Sequence, residues 1–471
     1  MKYKLKMGLE IHLQVNTKTK LFSSSETDFT ANPNSHINYF DLAIPGVLPR
    51  LNEEVLRKAI CAGKILNCRI NNVSKFDRKH YYYPDLPLGY QITQFYYPIC
   101  EHGSVVLTDG KEIRINRIHI ETDAGKLIHD NNTYQIDYNR CGNPLLEIVT
   151  EPDFSSAEQV GEFLRSLIRN MEYGNISNCD MEKGNLRCDI NISIYDDKIN
   201  HPRVEIKNVN SVEFVKTAIE FEYQRQVDLV ERGEKYNQHT RGYRNGETKF
   251  MRDKETAEDY RYTPCGNLPR IVLSDEYIAS VHVPETYEVK LKKYDAIFNN
   301  IEITQKLLSD LKLVEYFENT LSELRGLNDG QLNDSIIKLV GNFIACDLVG
   351  LCKDEVRPYT SSITSEYIAL IVNHLINNRI TTRVAKDVLI ESFNTGLNPI
   401  SIIKAKGLEK ITDESVMIAL IEEIKIADNA TFEKWKAGAE KLENAIVGYA
   451  MKKTNGSIDV EVFKQILKTY K

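Results

Sequence analysis

No two of the nine cysteines (Cys61, Cys68, Cys100, Cys141, Cys179, Cys188, Cys265, Cys346 and Cys352) are spaced as CxxC. That absence removes the usual structural zinc frameworks and points to free, mostly buried thiols in a reducing compartment. Positive charge is also short: 60 Lys and Arg stand against 67 Asp and Glu, a net charge of −7, which excludes a generally basic nucleic-acid coat. A nucleic-acid partner would need a local basic patch. No uncharged apolar run reaches the roughly 18 residues of a membrane span. YIALIVNHLI at 367–376 is among the longest. The opening MKYKLKMGLEIH lacks the continuous apolar stretch of a secretion signal, so the expectation is a cytoplasmic protein with no membrane association. Two further motifs are missing, the GxxxxGK[ST] phosphate loop and a GxGxxG following a strand. If a nucleotide is used, metal ions and Arg/Lys side chains must hold its phosphates on a sheet.

What is present is an ordinary globular composition, 42% hydrophobic and 27% charged over 471 residues, long enough for two or three domains. To about residue 290 the chain mixes short alternating strands, Pro/Gly/Asn turns and a few helices. The clearest helix lies in DFSSAEQVGEFLRSLIRNMEYG, where Ser155 and Glu158 have capping-box spacing and Gly174 sits where a glycine cap belongs. A second helix is expected over 211–233, with Asn210 as its N-cap. Beyond Pro284 prolines nearly vanish and helical periodicity takes over. A break near NPISIIKAKGLEKITDESV leaves a small helical tail. From 401 onward twelve lysines stand against eleven acids, so the tail is near neutral while the rest is acidic. Those lysines suit either a solvated helix face or contact with nucleic acid.

The chemistry concentrates on strands. In GLEIHLQV, Leu9, Ile11, Leu13 and Val15 alternate with Glu10, His12 and Gln14, so a carboxylate and an imidazole share one face of a strand. GNLRCDINISI places Arg187, Asp189, Asn191 and Ser193 opposite an apolar face, and RVEIKNVNS projects Glu205 and Lys207 together. In IHIETDAGK, His119, Glu121 and Asp123 lie on one side. The upstream isoleucines of EIRINRI have the opposite parity until Ile115, which predicts a bulge or strand change near 116. One curved sheet with a polar site would collect all these faces, although structural ion networks use the same residues. FDRKHYYYPDLP adds Arg78 and Lys79 before an aromatic turn whose tyrosines 81–83 suit core or rim packing, or base stacking.

Taken in order, GLEIHLQ, DLAIPGVLP, KFDRKHYYYPDLPLGYQI, IHIETDAGK, DYNRCGNPLLEIVTEPD, NLRCDINIS, EIKNVNS and MRDKETAEDYRY resemble the successive signatures of the B subunits of aspartyl/glutamyl-tRNA amidotransferases. The resemblance covers essentially the whole chain. It implies an α+β fold: a cradle domain over 1–290 on a mostly antiparallel sheet with a kinase-like site, an all-α domain over 291–407, and a tRNA-binding tail over 408–471. It implies ATP-dependent phosphorylation of the side-chain carboxylate of glutamate or aspartate mischarged on tRNA. Ammonia from a glutaminase partner then gives Gln-tRNA(Gln) or Asn-tRNA(Asn). Partners would be an amidase (A) subunit and a small C subunit in a heterotrimer. Glu10, His12 and Glu121 would bind the metal and act in catalysis. Arg78, Lys79, Arg187 and Lys207 would face the same cavity as Glu10, with Asp189, Asn191, Glu205 and Asn208 orienting them or completing the metal shell. Mg2+ is expected, with Mn2+ as a substitute because a histidine ligand is unusual for magnesium.

The sequence departs from the family pattern at Thr122, where a carboxylate is usual and whose absence puts a second metal site in question. His80, Leu88 and TPCGNLP at 263–269 also differ. The CxxC pairs of zinc-carrying relatives are missing, so no zinc is expected. The related E subunit carries an inserted domain for which 471 residues leave no room. A non-catalytic tRNA-binding scaffold on the same fold is the alternative from another functional class; the retention of Glu10 and His12 counts against it.

Overall fold

The computed structural model describes residues 2–470 apart from 29–30, 131–132, 254–257, 329, 353–356, 412 and 455. The chain divides into two compact units, Met1–Tyr287 and Glu288–Lys471. The architecture is α+β, as the sequence pattern implies.

In the first unit the strands run β1 (Lys4–Gln14), β2 (Arg69–Ile70), β3 (Val73–Ser74), β4 (Asp77–His80), β5 (Tyr90–Thr93), β6 (Cys100–Val106), β7 (Glu112–Thr122) and β8 (Lys126–Asp130). They continue with β9 (Thr133–Asp137), β10 (Pro144–Thr150), β11 (Leu186–Tyr195), β12 (Val204–Lys207), β13 (His239–Arg244), β14 (Glu247–Asp253), β15 (Thr263–Pro264) and β16 (Ile271–Val272). Nine of them form one sheet in the order β14-β13-β12-β11-β1-β10-β7-β6-β2. Every pairing in it is antiparallel except β12 with β13. The N-terminal strand therefore sits at the centre. Along β7, Val149 pairs with Arg117 but Thr150 pairs with Ile115, which leaves Asn116 as the extra residue of a bulge. This is the switch of parity that the isoleucine pattern predicts.

One face of the sheet is dry. Leu9, Ile11, Leu13, Ile118, Ile120, Leu146, Ile148, Ile190, Ile192, Val204 and Ile206 are each at most 1% exposed. They pack against three helices, α1 (Glu53–Ile65), α2 (Ala157–Tyr173) and α3 (Val212–Glu231). Each large aliphatic side chain buried this way stabilises the fold by about 1.5–3 kcal/mol. Helix α1 approaches the sheet at Gly63, where a Cβ would lie 2.5 Å from Cys100 Sγ. Six of the nine cysteines are buried and all nine are free thiols.

The helix caps fall one residue later than expected. Ser156, not Ser155, caps α2, its Oγ accepting from Gln159 N at 3.2 Å, while Ser155 binds the Gln159 side chain. Ser211, not Asn210, caps α3 by accepting from Phe214 N. Both stretches hold adjacent cap-competent residues, so sequence alone does not separate them. Gly174 ends α2 in right-handed conformation, and the left-handed turn falls on Asn175 at φ 51°. Gly174 is needed for space instead, because a Cβ there would lie 3.0 Å from Ile65 and Ile176.

In the second unit the described residues form helices, including Leu311–Leu327, Ser365–Ile376 and Thr382–Thr395. Helix Pro399–Lys406 stops at Gly407, left-handed at φ 58°. Beyond it Met417, Ile421, Phe432, Trp435, Phe463 and Leu467 build a small core of their own. Several tail lysines are paired with acids, Lys410 with Asp459 at 2.8 Å and Lys453 with Glu423 at 2.6 Å. No helix among the described residues is long and apolar enough to cross a membrane.

Candidate active site

The register of the large sheet assembles the polar face row by row. Glu10 lies opposite Val149 of β10 and Asp189 of β11. His12 lies opposite Glu147 and Arg187. Glu147 in turn faces His119 on β7, and Leu145 faces Glu121. On the other side Asn191 pairs with Glu205 of β12, and Glu205 with Thr240 of β13. Because residues two apart share a face, Lys207 joins Glu205. Pairing alone thus gathers His12 and His119 with Glu10, Glu121, Glu147, Asp189 and Glu205 onto adjoining strands.

Their side chains converge. His12 Nε2 lies 3.3 Å from Glu121 Oε1 and 3.5 Å from Glu147 Oε2. His119 Nε2 lies 3.1 Å from Glu147 Oε2 and 3.7 Å from Glu121 Oε2. Burial opposes charge on both imidazoles, yet the two carboxylates outweigh it. The His12 pKa stands well above the ordinary histidine range, and that of His119 is raised as well. Burial likewise pushes Glu121 and Glu147 upward, but the histidines prevail and both carboxyls lie below the usual range. Glu10, desolvated and facing Glu147, is held above it.

Two triads could each take a cation. Glu10, His12 and Asp189 bring one ligand atom apiece within 4.8 Å of one another, and so do His12, Glu121 and Glu147. Imidazole nitrogen with carboxylate oxygens is a donor set that suits magnesium or manganese, and His12 belongs to both triads. The residues present fit a divalent ion. Thr122 takes no part, since its side chain points to the other side of β7. There Thr122 Oγ1 accepts from Ile92 N at 3.2 Å. Glu147 brings a further carboxylate to the site face from β10.

A cavity of about 960 Å³ opens beside these groups. Of the residues expected in the site, Glu10, Lys79, Glu121, Asn191, Glu205 and Lys207 line it. Lys207 is ion-paired with Asp189 and lies 3.8 Å from Glu205, which accepts from Thr240 Oγ1 at 2.8 Å. Lys79 lies over the Tyr260 ring at 4.7 Å. His12 and Asp189 do not line the cavity; His12 stands 3.3 Å from Glu121, which does.

Arg78 does not share this cavity, contrary to the expectation from sequence. It is the neighbour of Lys79 on β4 and projects the opposite way, its guanidinium over Tyr90 and bonded to Asn267. Arg187 turns to Asp123 at 2.9 Å rather than lining the cavity. Asn208 is exposed and left-handed at φ 64°, beyond the end of β12. The tyrosine run packs on itself, Tyr81 against Tyr83 and Tyr260, with Tyr82 exposed. Thr263–Pro264 of the divergent loop pairs with β4, so this segment is a strand and not a free loop.

Glu147 is not among the residues that the sequence singles out. Its signal is a lone carboxylate within the apolar strand PLLEIVT, an expensive burial unless partnered. Phe95, Arg117, Tyr260 and Tyr262 also line the cavity without a strong local signature.

The family model described as the GatB/GatE catalytic domain matches residues 5–279, a span that contains every residue of this cavity. The chain belongs to the GatB family. A second model, described as the GatB domain, matches residues 329–470. Curated GatB relatives extend the match along the whole chain. The B subunits of the aspartyl/glutamyl-tRNA(Asn/Gln) amidotransferases of Rickettsia conorii and Rickettsia rickettsii are 41% identical over 482 residues, covering 99% of this chain and 97% of theirs. That of Rickettsia bellii is 40% identical over the same span.

Proposed function

We propose that this GatB chain is the activating component of a tRNA-dependent amidotransferase. On this reading the side-chain carboxylate of glutamate or aspartate mischarged on tRNA attacks the γ-phosphorus of ATP and ADP leaves. Ammonia then attacks the acyl carbon, loses a proton and expels inorganic phosphate, which leaves Gln-tRNA(Gln) or Asn-tRNA(Asn). The activation is needed because a free carboxylate offers ammonia no usable leaving group.

The observation that carries this reading is a histidine–carboxylate cluster, His12 and His119 with Glu121 and Glu147, set beside one large cavity that Lys79 and Lys207 also line. A divalent cation held by Glu10, His12 and Asp189, or by His12, Glu121 and Glu147, would neutralise phosphate charge. Phosphoryl transfer depends on positioning and charge, and the chain supplies both. Lys207, oriented by Asp189 and Glu205, and Lys79, seated on Tyr260, present ammonium groups to the phosphates. Thr240 fixes the Glu205 carboxylate, so the lysine keeps its place when substrate enters.

Ammonia would come from an amidase subunit, with a small third subunit completing a cytoplasmic heterotrimer. The lysines of the tail would neutralise tRNA phosphates. The test is a reconstituted complex assayed with γ-labelled ATP, glutamine and each mischarged tRNA. His12→Ala should abolish label transfer and amide formation while glutamine hydrolysis by the partner persists. Amide formation at the wild-type rate by His12→Ala would defeat the assignment.

A further inference from the structure

Over the five strands around the site, the row of the sheet that carries Glu10 has a cation on each side. Crossing from β7 to β12, it reads Arg117, Val149, Glu10, Asp189 and Lys207. The last of these follows from the antiparallel pairing of Asn191 with Glu205, since two residues back on β11 and two forward on β12 bring Asp189 opposite Lys207. Its two ends are not equivalent. Lys207 is already neutralised by Asp189 and approached by Glu205. Arg117 stands between the uncharged Val149 on β10 and Glu101 on β6, but the Glu101 carboxylate is taken by Arg69 at 2.9 Å and by Asn71, and no ion pair among the described residues joins Arg117 to an acid. Its Nε is buried without a hydrogen-bond partner. Its guanidinium lies 5.4 Å from the Phe95 ring centre, and Phe95 stacks on Tyr262 at 4.0 Å and 14°. All three side chains line the cavity.

A guanidinium without an internal acid, seated on an aromatic ring and open to a cavity, is arranged to receive a group from outside. A guanidinium over a ring face can still offer its N–H groups in two parallel hydrogen bonds to a carboxylate or phosphate. We infer that Arg117 is the anion receptor of this site, holding either the side-chain carboxylate of the aminoacyl group or the terminal phosphate to which that carboxylate becomes joined. The inference rests on the functional reading above. It adds a residue on the far side of the histidine–carboxylate cluster from Lys207, so the reacting anion would be gripped between two cationic ends.

The experiment uses the assembled amidotransferase with Arg117→Ala and Arg117→Lys, measuring kcat and KM separately for ATP and for mischarged tRNA. Glutamine hydrolysis serves as the control for assembly. Arg117→Ala should lower amidation kcat/KM about 30-fold, the loss of one charge-assisted contact. Methylguanidinium added to Arg117→Ala should restore a large part of the rate, and Arg117→Lys should fall between. A rise confined to the KM for ATP assigns the anion as phosphate. A loss confined to the tRNA parameters, with ATP binding intact, assigns it as the aminoacyl carboxylate. Amidation within twofold of wild type in Arg117→Ala overturns the inference. So does a loss that methylguanidinium does not relieve and that glutamine hydrolysis shares, because that pattern belongs to a purely structural residue. Failure of the functional reading looks different: the wild-type complex would then form amide without ATP.

Discussion

The two faces of the large sheet are built from the same strands and have almost nothing else in common. On the back, Ile11 lies opposite Ile148 and Cys188, in a layer sealed by three helices. On the front, one residue along, His12 lies opposite Glu147 and Arg187. Energy of folding comes chiefly from the first face and chemistry from the second. Strand alternation interleaves the two jobs residue by residue, so substitutions at neighbouring positions should have unrelated consequences.

The largest effect is expected on the front. Glu121→Gln or Glu147→Gln should slow amide formation on the order of 10²–10³-fold, the scale of removing a preorganised charge from a reaction centre. The thermal midpoint should fall only moderately, by the loss of one carboxylate–imidazole pairing. A large fall in stability with modest loss of rate would break the division of labour between faces. On the back the order should invert. Leu13→Ala should cost about 2–5 kcal/mol in denaturant unfolding, with the rate per folded molecule preserved. A smaller effect concerns pH in the metal-free protein. His12 and His119 titrate above their ordinary range, so their contribution is complete in mildly acidic solution and is lost as pH rises past neutrality. Glu121 and Glu147 titrate below theirs, so their contribution is present above the usual carboxylate range and is lost only in stronger acid. Thermal melts in EDTA should therefore show a plateau in mild acid that His12→Ala narrows from the alkaline side. Binding of Mn2+ should strengthen with rising pH, since a coordinating imidazole must first lose its proton. The smallest effect is expected at Thr122→Val, which removes a buried hydrogen bond worth about 1 kcal/mol and should leave Mn2+ stoichiometry unchanged.

How much of this is legible in the sequence follows from the same alternation. Period-two patterning in GLEIHLQV, NLRCDINIS and VEIK assigns the correct residues to the front, and the isoleucine parity shift marks the bulge at Asn116. Arg78 is misplaced by sequence because FDRKH reads as the approach to a turn. Once that segment is known to be a strand, Arg78 and Lys79 must diverge. Glu147 stays hidden because its flanking residues are all apolar, and a strand buried on both sides carries no alternation to read. Arg187 shows a different limit. Its face is right, but its partner, Asp123, sits just past the end of β7, where pairing rules no longer reach. The family resemblance supplies what patterning cannot, namely which of several polar faces belong to one site.

The central place of β1 carries a consequence for how the chain is made. Leu9 and Leu13 are synthesised more than 130 residues before their partners Ile190 and Leu146. At about 5–20 residues per second, roughly 7 to 36 seconds of synthesis separates the strand from the neighbours that enclose it. Throughout that interval an apolar strand with two unsatisfied edges is exposed on the nascent chain, a template for pairing with the wrong partner. Yield of intact protein should therefore depend on holdase chaperones and on translation speed through residues 140–195, more than on anything in the helical unit that follows.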